Sequence, residues 1–266
     1  MGNQVLKQNY GEWAVITGAS DGIGKATAIE LAKLGFSLIL IARRNHLLKQ
    51  LGEDLKEQYG IMYQTIVADL SKKDDVQKII QQTSTSDIGL FVAAAGFGSS
   101  GLFVDSQIEN ELNMLEVNCS SVLSLSHHFG RLFKIKKRGG MIFYSSIVAF
   151  QGVPLSANYA ASKAFIQSFA EGLHTEMKAY GVDVLVVAPG PVNTGFGQRA
   201  KLNIGNEAES PATIAQGSLN ALGKKITVRP GFIAKLLGYS LSTAPRFLRI
   251  FIMGRIMSGM AKGQKS

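Results

Sequence analysis

From residue 13 to about residue 230, short runs that are largely apolar alternate with longer segments whose apolar residues recur every three or four positions. The runs Trp13–Thr17, Ser37–Ala42, Tyr63–Ala68, Ile88–Ala94, Met141–Ser145 and Val182–Ala188 are short and rich in β-branched residues, so each is predicted as a strand. Helical spacing is expected over Lys25–Leu34, which stops at Gly35, and over Asn45–Gln58, Asp74–Thr83, a long Gln107–Phe133 and Asn158–Tyr180. Pro211 should open another helix, and Lys225–Arg229 reads as the last strand. Strands without a polar face must be covered on both sides, and strands joined through helices run parallel. The pattern predicts a doubly wound α/β sheet in a single domain of residues 1–230, followed by an extension at 231–266.

Composition supports a packed core, with 46% hydrophobic and 18% charged residues. The single cysteine, Cys119, lies in an apolar run; it offers neither a disulfide framework nor a metal-ligand spacing and reads as a packed thiol in a reducing, cytoplasmic setting. His127-His128 falls within the long helix without a ligand pattern, so no metal is expected. Met1–Glu12 has no apolar signal core, and Leu6 stands where a myristoylation signal after Gly2 needs Ser or Thr.

Candidate chemistry begins at the first strand, which runs directly into Gly18-Ala-Ser-Asp-Gly22-Ile-Gly24 and then a helix. Strand, glycine turn and helix bring backbone N–H groups and a helix N-terminus to a pyrophosphate. The second strand ends at Ala42 rather than at the acidic residue that binds a ribose 2′-hydroxyl, and Arg43-Arg44 follows. The planar, permanently charged fork of Arg43 suits a 2′-phosphate, so NADP(H) is expected over NAD(H). The alternative is that both arginines are solvated surface charges, which suits Arg44.

Tyr159-Ala-Ala-Ser-Lys163, with Ser146 thirteen positions before the tyrosine, carries the second candidate site. On a helix, Tyr159 and Lys163 stack on one face. An ammonium about 4 Å from a phenol, at an effective dielectric near 20, is worth roughly 4 kcal/mol and would lower a tyrosine pKa from about 10 by about 3 units, toward the range useful for acid/base catalysis. Taken alone, the same pair is an ordinary amphipathic spacing.

Jointly, Thr17-Gly18-x-x-x-Gly22-x-Gly24, Asp69, Ala95-Gly96, Asn118, Ser146, Tyr159-x-x-x-Lys163 and Pro189-Gly190 resemble the short-chain dehydrogenase/reductase family, with its Rossmann-type fold, across residues 11–230. The resemblance implies a catalytic tetrad of Asn118, Ser146, Tyr159 and Lys163. Tyr159 would give a proton to a substrate carbonyl oxygen that Ser146 also hydrogen-bonds. Lys163 would hold the nicotinamide ribose and depress the tyrosine pKa, and Asn118 would anchor a relay water. Ser145 could replace Ser146, and Asn118 could simply satisfy local backbone.

For the cofactor the resemblance places Gly18, Ser20, Gly22, Ile23 and Gly24 at the phosphates and Asp69 and Leu70 near the adenine. Gly96 would follow the fourth strand, and Pro189, Gly190, Asn193 and Thr194 would reach the carboxamide end. The chain departs from the family at Ala93-Ala94-Ala95-Gly96, where Asn-Asn-Ala-Gly is usual, which puts the local geometry there in question. Phe97 and Phe103 are candidates for either core packing or a substrate pocket.

Gly195–Ser210 is glycine-rich and mixed in polarity, as befits a substrate lid at about 194–212. The extension combines many large apolar residues with a one-sided charge. From Ser210 onward there are nine Lys and Arg and no Asp or Glu, so the formal net charge of +9 belongs to the last fifth of the chain. No run of about 18 uncharged apolar residues occurs, so a spanning helix is not expected. Arg246 and Arg255 project to opposite sides of a helix, which does not make a clean amphipathic surface helix either.

The extension should pack on the domain or a second subunit, or else cover a long-chain substrate or rest on an anionic membrane surface. Nucleic acid is not an expected partner, because the charges are interleaved with aliphatic residues and no base-reading motif accompanies them. The leading expectation is an NADPH-dependent carbonyl reductase, or alcohol dehydrogenase in reverse, acting on an apolar ketone; the 3-ketoacyl and hydroxysteroid branches look similar. The resemblance also implies a homo-oligomer, paired through the helix bearing Tyr159 and the long helix before it. A nucleotide-sensing regulator without turnover is the alternative.

Overall fold

The computed structural model describes residues 7, 9–84, 87–203 and 208–262. Seven parallel strands run β1 (Trp13–Thr17), β2 (Ser37–Ala42), β3 (Tyr63–Val67), β4 (Ile88–Ala93), β5 (Gly139–Tyr144), β6 (Val182–Val187) and β7 (Thr227–Val228). They lie in the order β3-β2-β1-β4-β5-β6-β7. The order reverses between β1 and β4, and in open sheets of this kind ligands bind in the crevice beyond the carboxyl ends of the strands at that point.

Alternation along each strand explains why a polar face is missing. Ala14, Ile16, Leu38, Leu40, Leu90 and Val92 point to one layer of helices, whereas Val15, Ile39, Ile41 and Phe91 point to the other. The first layer holds α1 (Gly22–Lys33) and α2 (Asn45–Tyr59). The second holds α3 (Lys73–Thr83) and three further segments: α4 (Ile108–Leu115), α5 (Ser121–Lys136) and α6 (Ala157–Lys178). Phe91 of β4 stacks on Phe129 of α5 with ring centroids 4.6 Å apart, tying the sheet to this layer.

Helix ends follow local chemistry. Asp21 caps α1 by accepting from the Gly22 N–H at 2.7 Å, and Gly60 closes α2 in the left-handed conformation.

The long helix expected over Gln107–Phe133 is divided. Between α4 and α5, Glu116–Ser120 forms a π-turn, an i→i+5 widening that local periodicity does not announce and that often marks a functional site. The last strand is also shorter than expected. β7 keeps two residues because it pairs only with Val186 and Val187 of β6.

Over the carboxyl edge lies α7 (Phe196–Ala200), whereas α8 (Pro211–Ala221) joins the first layer, where Ile214 and Leu219 pack into the cluster that holds α1; Ser210 caps α8, its hydroxyl accepting from the Thr213 N–H at 3.1 Å. Part of the expected lid, residues 204–207, lies outside the described residues. The extension folds as α9 (Phe232–Ser242) and α10 (Arg246–Lys262). Ala234, Leu241, Met253 and Met257 form a third buried cluster with Ile147, Val148, Val153 and Ala160, next to the segments carrying Ser146 and Tyr159. No helix among the described residues is long and apolar enough to cross a membrane.

Candidate active site

A cavity of about 580 Å³ runs along the carboxyl edge of the sheet from the glycine loop, past Ser146 and Tyr159, to the inner sides of α9 and α10. At its first end the glycines are required by space. A Cβ on Gly24 would lie 2.3 Å from the Gly18 carbonyl oxygen, and one on Gly18, whose φ is +69°, would lie 2.8 Å from the Ala95 Cα. The loop thereby leaves Ser20, Gly22, Ile23 and Gly24, at the N-terminus of α1, facing the cavity.

The Ala93–Ala95 departure finds its compensation in Thr17. Its hydroxyl accepts from the N–H groups of Ala94 and Ala95 at 3.1 and 3.2 Å and lies 3.3 Å from the Val92 carbonyl, so a β1 side chain ties the end of β4 in place.

Both arginines after β2 line the cavity. Arg43 stands 4.0 Å from the Asp69 carboxylate. Burial pushes the Asp69 pKa up, but hydrogen bonds from the Ser71 N–H and hydroxyl, with the charges of Arg43 and Lys72, bring it below the usual carboxylate range. Arg44 is more than a solvated charge. It donates to the Ser20 hydroxyl at 3.1 Å and approaches Asp21 at 3.8 Å, at the glycine loop. Leu70 lines the same end.

In the middle, α6 carries Tyr159 and Lys163 one turn apart. The Ser146 hydroxyl acts on the Tyr159 phenol, pulling its pKa down, and its oxygen accepts from the Val148 N–H at 3.3 Å. Ser145, the alternative, is occupied elsewhere, donating to the Lys163 carbonyl at 2.9 Å.

The expected depression of the tyrosine pKa is not what this geometry produces. Burial raises the phenol above its ordinary value, tempered by the Ser146 hydroxyl. The reason lies in Lys163, which is buried at 8% exposure; its Nζ donates to the Tyr144 carbonyl at 2.8 Å and stands 5.8 Å from the centre of the tyrosine ring. Desolvation lowers its own pKa to about 8, against a smaller upward pull from Cys119.

Asn118 sits in the π-turn, 2% exposed, and its side chain is committed to protein. It accepts from the Phe97 N–H at 3.1 Å and donates to the Phe97 carbonyl at 2.9 Å and the Ser162 hydroxyl at 3.0 Å. These bonds clamp the loop after β4 to α6, so the Asn118 side chain satisfies local groups. Gly96 lies beneath the clamp, where a Cβ would come 3.1 Å from Asn118 Oδ1 and 3.5 Å from Lys163 Nζ.

Pro189, Gly190 and Thr194 line the cavity, and a Cβ on Gly22 would press on the Thr194 methyl group at 2.9 Å. Asn193 is exposed and does not line it. Its N–H donates to the Glu209 carbonyl and extended pairing turns its side chain outward, leaving Val192 on the inside.

Phe97 lines the cavity, whereas Phe103 is exposed beside a separate small hollow. Phe196 and Arg199 of the expected lid and Leu237, Met253 and Met257 of the extension, none singled out individually by the sequence, also line the cavity. Phe196 packs on Tyr159 at 5.3 Å, and the Arg199 guanidinium lies 3.8 Å over the Phe97 ring. None belongs to a motif; only the placement of the lid and extension over the sheet edge reveals them. Among the described residues no cluster could hold a metal ion, and His128 instead meets the Thr83 hydroxyl at 3.2 Å.

The residues at the first end fit a dinucleotide: glycines that leave room for its backbone, a helix N-terminus for its phosphates and two guanidinium groups at its far edge. A proton-transfer pair beyond it defines the class, a nicotinamide-dependent oxidoreductase.

The short chain dehydrogenase family model matches residues 12–204. Over 233 residues the chain is 32% identical to a 7beta-hydroxysteroid dehydrogenase of Mediterraneibacter gnavus, with 85% of this chain and 88% of that one covered. It is 31% identical over 249 residues to a very-long-chain 3-oxoacyl-CoA reductase of Anas platyrhynchos, covering 92% and 79%. A solved structure from work on 7beta-hydroxysteroid dehydrogenase stereoselectivity matches with a TM-score of 0.86 at 29% identity, over 93% of this chain and 98% of that one. The chain belongs to the short-chain dehydrogenase family and is an NAD(P)-dependent oxidoreductase acting on CH–OH groups.

Proposed function

We propose that the protein reduces a bulky, apolar ketone with NADPH, and in reverse oxidises the matching secondary alcohol. The observation that carries this reading is the continuity of one cavity, cationic at the end beside Arg43 and Arg44 and walled by Ile147, Leu237, Met253 and Met257 at the other, with Tyr159 and Ser146 between. Methionines adapt to irregular apolar shapes, which suits a rigid polycyclic or long-chain ketone. The names of the relatives, a hydroxysteroid dehydrogenase and a 3-oxoacyl-CoA reductase, point to the same kind of substrate.

When bound, the dinucleotide supplies the hydride in reduction. The Tyr159 hydroxyl gives its proton to the carbonyl oxygen, and Ser146 donates a hydrogen bond to the same oxygen as negative charge grows on it. Burial leaves the phenol protonated at neutral pH, ready to act as the acid in this direction. Lys163 sets a cation beneath the site and would reach the ribose of the cofactor. Asn118 holds the loop that bounds the pocket. Gly18, Ser20, Gly22, Ile23 and Gly24 receive the phosphates, Asp69 and Leu70 the adenosine, and Gly96, Pro189, Gly190 and Thr194 the nicotinamide side. Arg43 and Arg44, with Ala42 in place of an acidic residue, favour NADPH over NADH.

In this reading residues 1–230 form the catalytic body with a lid at about 194–212, and the extension caps the substrate end. Oligomerisation through α4, α5 and α6 has support in the exposed Leu112, Leu123 and Phe165 on those helices. The test is loss of the reduced-nicotinamide absorbance with a panel of steroid and long-chain ketones, parent against Tyr159→Phe. The variant should lose at least about 10²-fold in rate while still binding NADPH. Equal turnover would remove the mechanism, and tight NADPH binding with no turnover on any ketone would return the reading to a nucleotide sensor.

A further inference from the structure

The helices α9 and α10 have two sides with opposite character. Their inner side supplies Ala234, Leu241, Met253 and Met257 to the buried cluster next to the catalytic segments. Their outer side is rich in exposed apolar side chains. On α9, Phe232, Leu236 and Tyr239 fall at i, i+4 and i+7 and are all exposed, Phe232 at 73%. On α10, Phe247 and Phe251 are exposed at 74% and 59%, and the Arg255 guanidinium lies 5.2 Å over the Phe251 ring. Five large apolar side chains exposed on two consecutive helices mark a contact surface rather than scattered exposure.

Charge decides what kind. Between Gly231 and Lys262 there are five Lys and Arg and no Asp or Glu. The carboxylate that meets α9, Glu209, is engaged by the Phe232 N–H at 2.8 Å.

We propose that the outer side of α9 and α10 docks on an anionic lipid bilayer. A second copy meeting the same surface across a two-fold axis would bring together two faces that carry cations and no Asp or Glu of their own to pair with them. Phosphate and carboxylate headgroups complement them, and aromatic rings beside arginines are the side chains that settle at headgroup depth. The contact is superficial, because α10 has 17 residues and carries Arg246, Arg249 and Arg255, too short and too charged to span. The same helices wall the apolar end of the cavity, so docking brings that wall to the lipid.

The proposal is independent of carbonyl reduction, since binding is read without turnover. The full chain is sedimented with vesicles of pure phosphatidylcholine and with vesicles containing about 30% phosphatidylserine. Anionic vesicles should bind it and neutral ones should not. Phe247→Ser with Phe251→Ser, and separately Lys235→Glu with Arg255→Glu, should each weaken partition at least about ten-fold, with NADPH affinity unchanged as the check on folding. Added salt should abolish binding of the parent. Equal binding to both vesicle types, unaltered binding of both variants, or a parent dimer that the Phe variant breaks without any vesicle binding would overturn the proposal.

Discussion

Lys163 gives the most direct quantitative test of the site, because its burial has a thermodynamic signature apart from catalysis. Its pKa falls from 10.5 to about 8 in the folded chain. Below pH 8 folded and unfolded chains both hold the proton, and the cost of burying the ammonium is present in full. Between about pH 8 and 10.5 the folded lysine is neutral while the unfolded one still binds a proton, so stability rises with pH by about 1.36 kcal/mol per unit.

In Lys163→Met this dependence is absent, although the variant also loses the bond to the Tyr144 carbonyl, a pH-insensitive loss of about 1 to 2 kcal/mol. The stability of the variant minus that of the parent should therefore fall by about 2 kcal/mol from pH 7 to about pH 9.5, a window below the Cys119 pKa of about 11. Urea unfolding of both proteins at the two pH values, without nucleotide, reads this as a higher midpoint for the variant at pH 7 that falls to near that of the parent at about pH 9.5. A difference constant to within about 0.5 kcal/mol would refute the reasoning and mean that Lys163 is not desolvated in the free enzyme.

Thr17→Val should destabilise by about 2 to 4 kcal/mol, because it leaves the Ala94 and Ala95 N–H groups without their acceptor; a thermal or urea midpoint equal to that of the parent would show that the loop finds other partners. Arg43→Asp should weaken NADPH binding by about ten-fold or more and strengthen NADH binding, read by fluorescence titration, and an unchanged preference would leave the discrimination to Arg44 or elsewhere.

Much of the fold was legible because strand and helix have different periods. The six runs called as strands are strands, and the strictly apolar ones, such as Ser37–Ala42, also announced burial on both faces. Where the structure departs, a long-range contact intervened. Glu116–Ser120 keeps helical composition yet widens into a π-turn around Asn118, whose side chain bonds Phe97, 21 residues earlier, and Ser162, 44 residues later. The resemblance implies a cofactor contact for Asn193, but pairing with Glu209 turns it outward. The lysine effect on Tyr159 was reasoned from spacing alone, and spacing carries no information about desolvation.

The sequence by itself determined the alternation that dictates a doubly wound sheet, and the glycine, Ser146 and Tyr159-x-x-x-Lys163 spacings that identify the family, because these depend on neighbours a few positions apart. Tertiary structure decided which serine meets the tyrosine, what Asn118 and Thr17 hold, and that the basic extension supplies one wall of the substrate end. Those outcomes depend on segments far apart in the chain meeting over the sheet edge, where burial and hydrogen-bond competition set energies that no local pattern encodes.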